Sequence, residues 1–285
     1  MDRKQRHKGW SGLLRLSMEL KSQECDLAVL FQNAFEAALI AWLSGIPLRL
    51  GYNTDARRFL LNRAVKLNAE DKQVHETEYY LRILSKAGLQ APWSPPVFHL
   101  APEMSARAEA WLAEFSPEKP FLLGLAPGAA YGSAKQWPAD RFAAAARMIL
   151  SVRPGRALIF GSQSETEVAA RVSENLGSAA VDLSGRTGLA EAAALIKRCH
   201  LFLTNDSGLM HVAAAVGTPL VAVFGSTNPK TTAPVGQMVK MIRHPVTCAP
   251  CLKPICTQPT HSCMEAVTPA EVATAGLELM NSFKE

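Results

Sequence analysis

No run of apolar residues in this 285-residue chain reaches the roughly 18 to 20 that a helix needs to cross a bilayer. The nearest signal-like stretch, around Leu13, is broken by Arg15 and ended by Glu19. The expectation is therefore a globular chain working in the cytoplasm. Long blocks of like charge are also lacking: charged residues make up 19%, hydrophobic ones 48%, and the net charge is only +5. That balance allows substantial cores in one large or two ordinary domains. Aromatic residues are few, at 7%, and are not interleaved with the bases, so no nucleic-acid partner is expected. Two nucleotide fingerprints are missing as well. No G-x-G-x-x-G opens a first helix and no G-x-x-x-x-G-K-[ST] occurs, so NAD-binding and ATP-hydrolysis readings lose ground. Nor is there a repeat at a solenoid period.

The excess charge is local. Residues 1–21 hold six Lys/Arg against two acids, and Leu13, Leu16 and Leu20 fall on one helical stripe beside them. This segment is either an ordinary helix packed on a domain or a basic amphipathic helix facing anionic lipid or an anionic acceptor.

Along the chain, a short apolar strand at 26–31, a helix at 34–43 closed by Gly45 and a strand at 48–52 form a βαβ fragment. A charged stretch around Arg57, Arg58 and Arg63 and a helix at 71–86 follow. Pro92, Pro95, Pro96 and Pro102 then mark a rigid connection. The expected organisation is a partial N-terminal domain at 1–104, a ligand-binding domain at 105–267, and a final helix in 268–285 that packs back toward the N-terminal part. Strands at 121–126, 157–160, 180–183 and 201–205 alternate with helices at 107–115, 140–150, 165–176 and 189–198, the pattern of a doubly wound parallel sheet. Residues 238–242 suggest one more strand, and Thr268 followed by Pro269 caps the last helix.

The stretch 201–225 organises the second half. A buried strand ends in Thr204-Asn205-Asp206-Ser207-Gly208, an alanine-rich helix follows, and Gly217 stops it. Asp206 and Ser207 are favoured N-cap residues, and Gly208 lets backbone approach a ligand. A helix N-terminus after a parallel strand aims N–H groups and partial positive charge into the crevice at the strand ends, which suits a phosphate. Ser207 and His211 stand four apart, so both can reach one ligand. The plainer alternative is that Asp206 and Ser207 only cap the helix and His211 is a core histidine. Other strand-end loops carry Gly128, Gly132 and the mobile cation Lys135, then Glu165 after Gly161, then Arg186-Thr187, then Gly225-Ser226-Thr227. Each alone reads as turn chemistry; together they suggest one shared nucleotide cleft.

The segments 127–138 (Pro-Gly-Ala-Ala-Tyr-Gly-Ser-Ala-Lys-Gln-Trp-Pro), Thr204-Asn-Asp-Ser-Gly-Leu-Met-His211 and 217–225, with Asn33-Ala-Phe-Glu-Ala-Ala-Leu and Gly45-Ile-Pro-Leu-Arg-Leu-Gly51-Tyr, resemble the lipopolysaccharide heptosyltransferases of glycosyltransferase family 9. The resemblance implies an α/β fold of GT-B type, two Rossmann-like doubly wound domains with the N-terminal one incomplete here. It also implies an inverting, metal-independent transfer of heptose from ADP-heptose to the lipid-linked inner core of lipopolysaccharide, at the inner face of the cytoplasmic membrane with peripheral membrane contact. It places Lys135 on the donor phosphates, where it stabilises the leaving group, Glu165 near the ribose and Thr187 beside the adenine. Asp206, Ser207, Gly208 and His211 fall around the diphosphate and sugar. Family members open with a strand leading into a Gly-Asp loop whose Asp is the expected general base. This sequence shows no such opening, and neither Asp2 nor Asp26 stands in that context. Three readings stay open: an active heptosyltransferase whose start lies upstream, a truncated nucleotide-sugar-binding remnant with impaired catalysis, and another GT-B sugar-nucleotide enzyme such as an epimerase. An incomplete N-terminal half predicts an unpaired sheet edge and weak stability for residues 1–100.

Cys248-x2-Cys251-x4-Cys256-x6-Cys263, with His261 beside the last thiol, leaves two readings: a structural zinc site or unligated thiols in a loop. Cys25 and Cys199 are expected to be packing residues.

Overall fold

A computed structural model describes residues 7–115 and 121–282. Asp2, the bases Arg3, Lys4 and Arg6, and the end of the last helix at Phe283 lie outside the described residues. The contacts divide the chain into two compact units, Met1–Ser94 and Pro95–Glu285.

In the first unit, α1 (Gly9–Lys21) leads to β1 (Leu27–Leu30), α2 (Phe35–Leu43), β2 (Leu48–Tyr52), β3 (Arg63–Val65) and α3 (Glu76–Lys86). The three strands form a parallel sheet in the order β1-β2-β3, with Leu27 beside Leu48 and Leu50 beside Arg63. β1 is an edge strand, and its Leu27 is exposed. The sequence hid β3, because its three residues sit among arginines and offer no apolar run. One of those arginines, Arg57, is fully buried. Its guanidinium donates to the Tyr52 carbonyl at 3.0 Å, to Asn33 Oδ1 at 3.1 Å and to the Gln32 carbonyl, so it fixes the loop after β1. The helix expected at 71–86 starts later, at Glu76, because His75 takes the N-cap and accepts the Thr77 N–H at 3.2 Å.

The stripe of Leu13, Leu16 and Leu20 in α1 faces inward. Leu13 is buried, and α1 packs against α2. Of the two readings left open for this segment, the packed helix is the one these leucines fit, with Leu13 buried and Leu16 and Leu20 half-buried.

The second unit comprises α4 (Pro102–Phe115), β4 (Phe121–Ala126), α5 (Ala139–Val152), β5 (Gly155–Ile159), α6 (Thr166–Leu176), β6 (Ala180–Asp182), α7 (Leu189–Arg198), β7 (Leu201–Asn205), α8 (Gly208–Ala215), β8 (Leu220–Val223), α9 (Pro229–Thr232), β9 (Val239–Ile242), α10 (Ser262–Glu265) and α11 (Pro269–Asn281). Its six strands are all parallel, in the order β6-β5-β4-β7-β8-β9. Successive strands are added to one side from β4 and to the other from β7, and the crevice at the carboxyl ends of such a sheet opens at this switch point. Pro102 opens α4 instead of ending a linker, in keeping with the preference of proline for the first helical turn.

Two cores sandwich the sheet. One gathers Trp137, Phe142, Ile149 and Val172 with Val272 and Leu279; the other gathers Leu112, Leu195 and Met210 with Phe160 and Phe202. The final helix, expected to lean toward the N-terminal part, contributes Val272, Ala273 and Leu279 to the first of these cores and packs on α5. The reason is local. Gly276 lies so close to β7 that a Cβ there would stand 2.6 Å from the Leu201 side chain, so the helix seats directly on its own sheet.

Candidate nucleotide site

β7 carries Thr204 and Asn205, both fully buried, to the edge of the crevice. Asn205 is a clamp. Its Nδ2 donates to the Pro127 carbonyl at 2.7 Å, and its Oδ1 accepts the Trp137 N–H at 3.0 Å, so both ends of the loop after β4 hang on one side chain. That loop delivers Lys135. Its Nζ lies 2.8 Å from Asp206 Oδ2 and 4.9 Å from the centroid of the Tyr131 ring. Both partners are shielded, with side-chain exposures of 13% for Lys135 and 4% for Asp206.

Ser207 occupies the N-cap of α8, but its side chain makes no capping bond; Oγ lies 3.2 Å from Thr204 Oγ1 instead. The expectation that Asp206 and Ser207 cap the helix with their side chains is corrected on this point, since Asp206 is engaged by Lys135. The consequence is chemical. The first turn of α8 keeps its N–H groups for a ligand, with no side-chain oxygen competing for them. A Cβ at Gly208 would meet nothing within 4 Å, so the backbone there borders open space.

That space is a cavity of about 400 Å3. Glu165, Thr187, Ser207 and Gly208 line it, with Gly128 and Ser162 on the rim and Phe160, Leu189, Ala192, Leu209 and Val212 forming apolar walls. The dimensions and the mixed lining suit a planar base with a polar tail. Glu165 closes a capping box, accepting from the N–H and hydroxyl of Ser162 at 2.7 Å each. It also lies over Gly128, where a Cβ would stand 2.2 Å from its carboxylate. Lys135 and Asp206 adjoin the cavity through Ser207 and do not line it. His211 is exposed one turn further along α8 and does not line it either.

A brace holds the lysine loop from outside. Tyr131 donates its hydroxyl to the Leu252 carbonyl at 2.9 Å, the Ala134 N–H donates to the Pro254 carbonyl at 3.0 Å, and His261 Nε2 lies 3.0 Å from the Ala134 carbonyl. Gly132, at φ +148°, presses against Pro254, whose carbonyl oxygen a Cβ would approach to 2.1 Å. The cysteine-rich segment is thus the outer strap of the lysine loop, a role that cysteine spacing did not announce. Among the described residues no three His, Cys, Asp or Glu side chains form a group that could hold a metal ion, and no disulfide forms. Cys263 turns into the core of the second unit beside Met264, where burial and the neighbouring thiols push its own thiol up. Cys199 is buried as expected, whereas Cys25 is exposed and not a packing residue.

Solved structures share this architecture. An ADP-heptose lipopolysaccharide heptosyltransferase II from Escherichia coli superposes with a TM-score of 0.80 at 28% identity, covering 96% of this chain and 82% of that one. A glycosyl transferase family 9 structure from Veillonella parvula gives 0.87 at 24% identity, covering 99% and 81%. Two α/β units with parallel sheets are the architecture of the GT-B-type heptosyltransferases among these neighbours. The chain belongs to glycosyltransferase family 9 (heptosyltransferase), whose pattern it matches over residues 13–261. In sequence it is 33% identical to lipooligosaccharide heptosyltransferase 2 of Haemophilus influenzae over 239 residues, covering 80% of this chain and 68% of the relative. It is likewise 33% identical to lipopolysaccharide heptosyltransferase 2 of Salmonella typhimurium over 238 residues, with the same shares.

Proposed function

We propose that this chain moves a heptose from ADP-heptose to the inner core of a lipopolysaccharide acceptor, with inversion at the anomeric carbon. The observation that carries the reading is the uncapped first turn of α8 beside the Lys135–Asp206 pair, at the mouth of a cavity with apolar walls. The adenine would lie between Leu189, Ala192 and Val212 near Thr187, the ribose toward Glu165, and the diphosphate across the Ser207 and Gly208 N–H groups with Lys135 facing it. His211, exposed on the same helix, would meet the sugar side of the donor.

In the reaction the bond between the anomeric carbon and the ADP oxygen breaks as the acceptor oxygen bonds that carbon from the opposite face. The departing ADP gains negative charge. Lys135 and the N-terminus of α8 stabilise it in place, the task a divalent cation performs in other transferases. Asp206 holds Lys135 in position before the donor arrives and shares it afterwards. The acceptor hydroxyl must pass its proton to a general base, and no residue of this chain is assigned that role.

The test is transfer itself. Incubating the protein with ADP-heptose and a heptose-deficient core acceptor should release ADP and raise the acceptor mass by one heptose, with chelator added or not. Tight ADP binding with no transfer would favour a nucleotide-sugar-binding remnant. Release of an isomerised donor without acceptor would favour an epimerase.

A further inference from the structure

Lys135 has two partners of unlike kind. Asp206 Oδ2 lies 2.8 Å from Nζ and offsets its charge, whereas the Tyr131 ring, its centroid 4.9 Å from Nζ, attracts the ammonium and leaves the charge whole. The attraction comes from the negative face of the ring quadrupole and strengthens as water is excluded. With its side chain only 13% exposed, Lys135 lies in the stronger part of that range. Burial does not account for the ring. Tyr131 is 54% exposed, so folding gains little from it. It is nonetheless fixed from the sheet outward. The Ser226 carbonyl, just past β8, accepts the Leu252 N–H at 2.8 Å, and the Leu252 carbonyl accepts the Tyr131 hydroxyl at 2.9 Å. Leu252 keeps this bridge at φ +56°, a left-handed conformation that costs a leucine energy and persists only where its surroundings impose it.

We propose that Tyr131 is a positioning residue for donor binding: its ring holds the Lys135 ammonium near the first turn of α8 and leaves the full charge to the diphosphate of an ADP-linked sugar. This role presupposes that Lys135 meets that diphosphate, and it names what keeps the lysine there. A second carboxylate in place of the ring would grip the ammonium in the empty site, but it would also repel the incoming phosphates. The ring carries no net charge and has no such conflict. As the phosphates draw the ammonium from Asp206, the ring keeps it from swinging into solvent.

Calorimetric titration of ADP and of adenosine into variants of the full chain tests the proposal. Tyr131→Phe keeps the ring and removes the hydroxyl bond to Leu252, and Tyr131→Leu removes the ring. Tyr131→Phe with one, two or three fluorines on the ring weakens the quadrupole stepwise at nearly constant shape. ADP affinity is expected to stay within about threefold of the parent in Tyr131→Phe, to fall with each added fluorine, and to drop about tenfold in Tyr131→Leu. Adenosine affinity and the unfolding midpoint should stay level along the fluorine series, which a purely structural ring would leave level for ADP as well. A flat ADP affinity along that series, a Tyr131→Leu protein that binds ADP like the parent, or a loss in Tyr131→Phe as large as in Tyr131→Leu would overturn it. Lys135→Ala separates the two levels: if it binds ADP like the parent, the diphosphate assignment of Lys135 falls and this role with it. If it loses ADP while the fluorine series is flat, only the role of the ring falls.

Discussion

Asn205 and Trp137 are joined by a buried hydrogen bond of 3.0 Å between the asparagine side chain and the tryptophan backbone, 68 residues apart in sequence. With the bond from Asn205 Nδ2 to Pro127, it ties the lysine loop to the strand that ends at the helix N-terminus. Replacing Asn205 by Ala leaves the Trp137 N–H and the Pro127 carbonyl without this partner in a closed site, at a cost of about 1–3 kcal/mol. Thermal unfolding of Asn205→Ala should show that loss, with ADP affinity weakened by roughly tenfold or more because Lys135 is no longer held. Unchanged ADP affinity in a folded Asn205→Ala protein would separate the clamp from the site.

The strap over the lysine loop makes a second prediction. Gly132→Ala places a Cβ against the Pro254 carbonyl oxygen, a backbone atom that cannot swing aside, whereas His261→Ala removes one bond to the Ala134 carbonyl. Gly132→Ala should therefore weaken ADP binding more than His261→Ala does. Calorimetric titration of the two variants orders them. The reverse order would mean that the strap does not set the loop position.

Asp71 predicts the acid response of the first unit. Burial pushes its carboxyl up, but bonds from Lys86, the Asn68 N–H and Arg82 outweigh burial and hold it at about 2. The folded value lies below the usual 3.8, so the stabilisation is complete above that pH and is lost as pH falls through about 2. Asp71→Asn should destabilise the unit by about 1–2 kcal/mol at neutral pH, less than for a fully buried pair because Arg82 and Lys86 reach solvent. In acid unfolding followed by circular dichroism, the gap between parent and variant should close toward pH 2. A gap that persists there would contradict the assignment.

Much of this was legible in the sequence, for identifiable reasons. Strands β4, β5, β6 and β7 announce themselves as short runs followed by turn residues, and the turns carry Lys135, Glu165, Thr187 and Asp206-Ser207-Gly208. What stayed hidden depends on packing. Periodicity shows that α1 has an apolar stripe but not what that stripe meets, so a packed helix and a lipid-facing one both stayed open for Leu13, Leu16 and Leu20. The walls of the cavity, Leu189, Ala192, Leu209 and Val212, sit in the first turns of α7 and α8 and look like any helix core. The strap from Leu252 to His261 pairs with Tyr131 and Ala134 across more than a hundred residues, a distance no local pattern spans.

The ion pair itself makes a further prediction. Removing Lys135 leaves Asp206 charged and nearly enclosed, and breaking such a pair costs roughly 3–5 kcal/mol when the other charge stays. Lys135→Ala/Asp206→Ala should recover stability relative to Lys135→Ala without recovering donor binding. Unfolding midpoints and titrations on the two variants check both parts.

The account depends on a diphosphate held by the first turn of α8 and by Lys135. The most direct measurement is calorimetric titration of ADP and of adenosine into the parent protein and Lys135→Ala. The account predicts that the parent binds ADP far more tightly than adenosine, and that Lys135→Ala loses most of that difference while binding adenosine as the parent does. Equal affinity of the parent for the two ligands, or undiminished ADP affinity in Lys135→Ala, would contradict it.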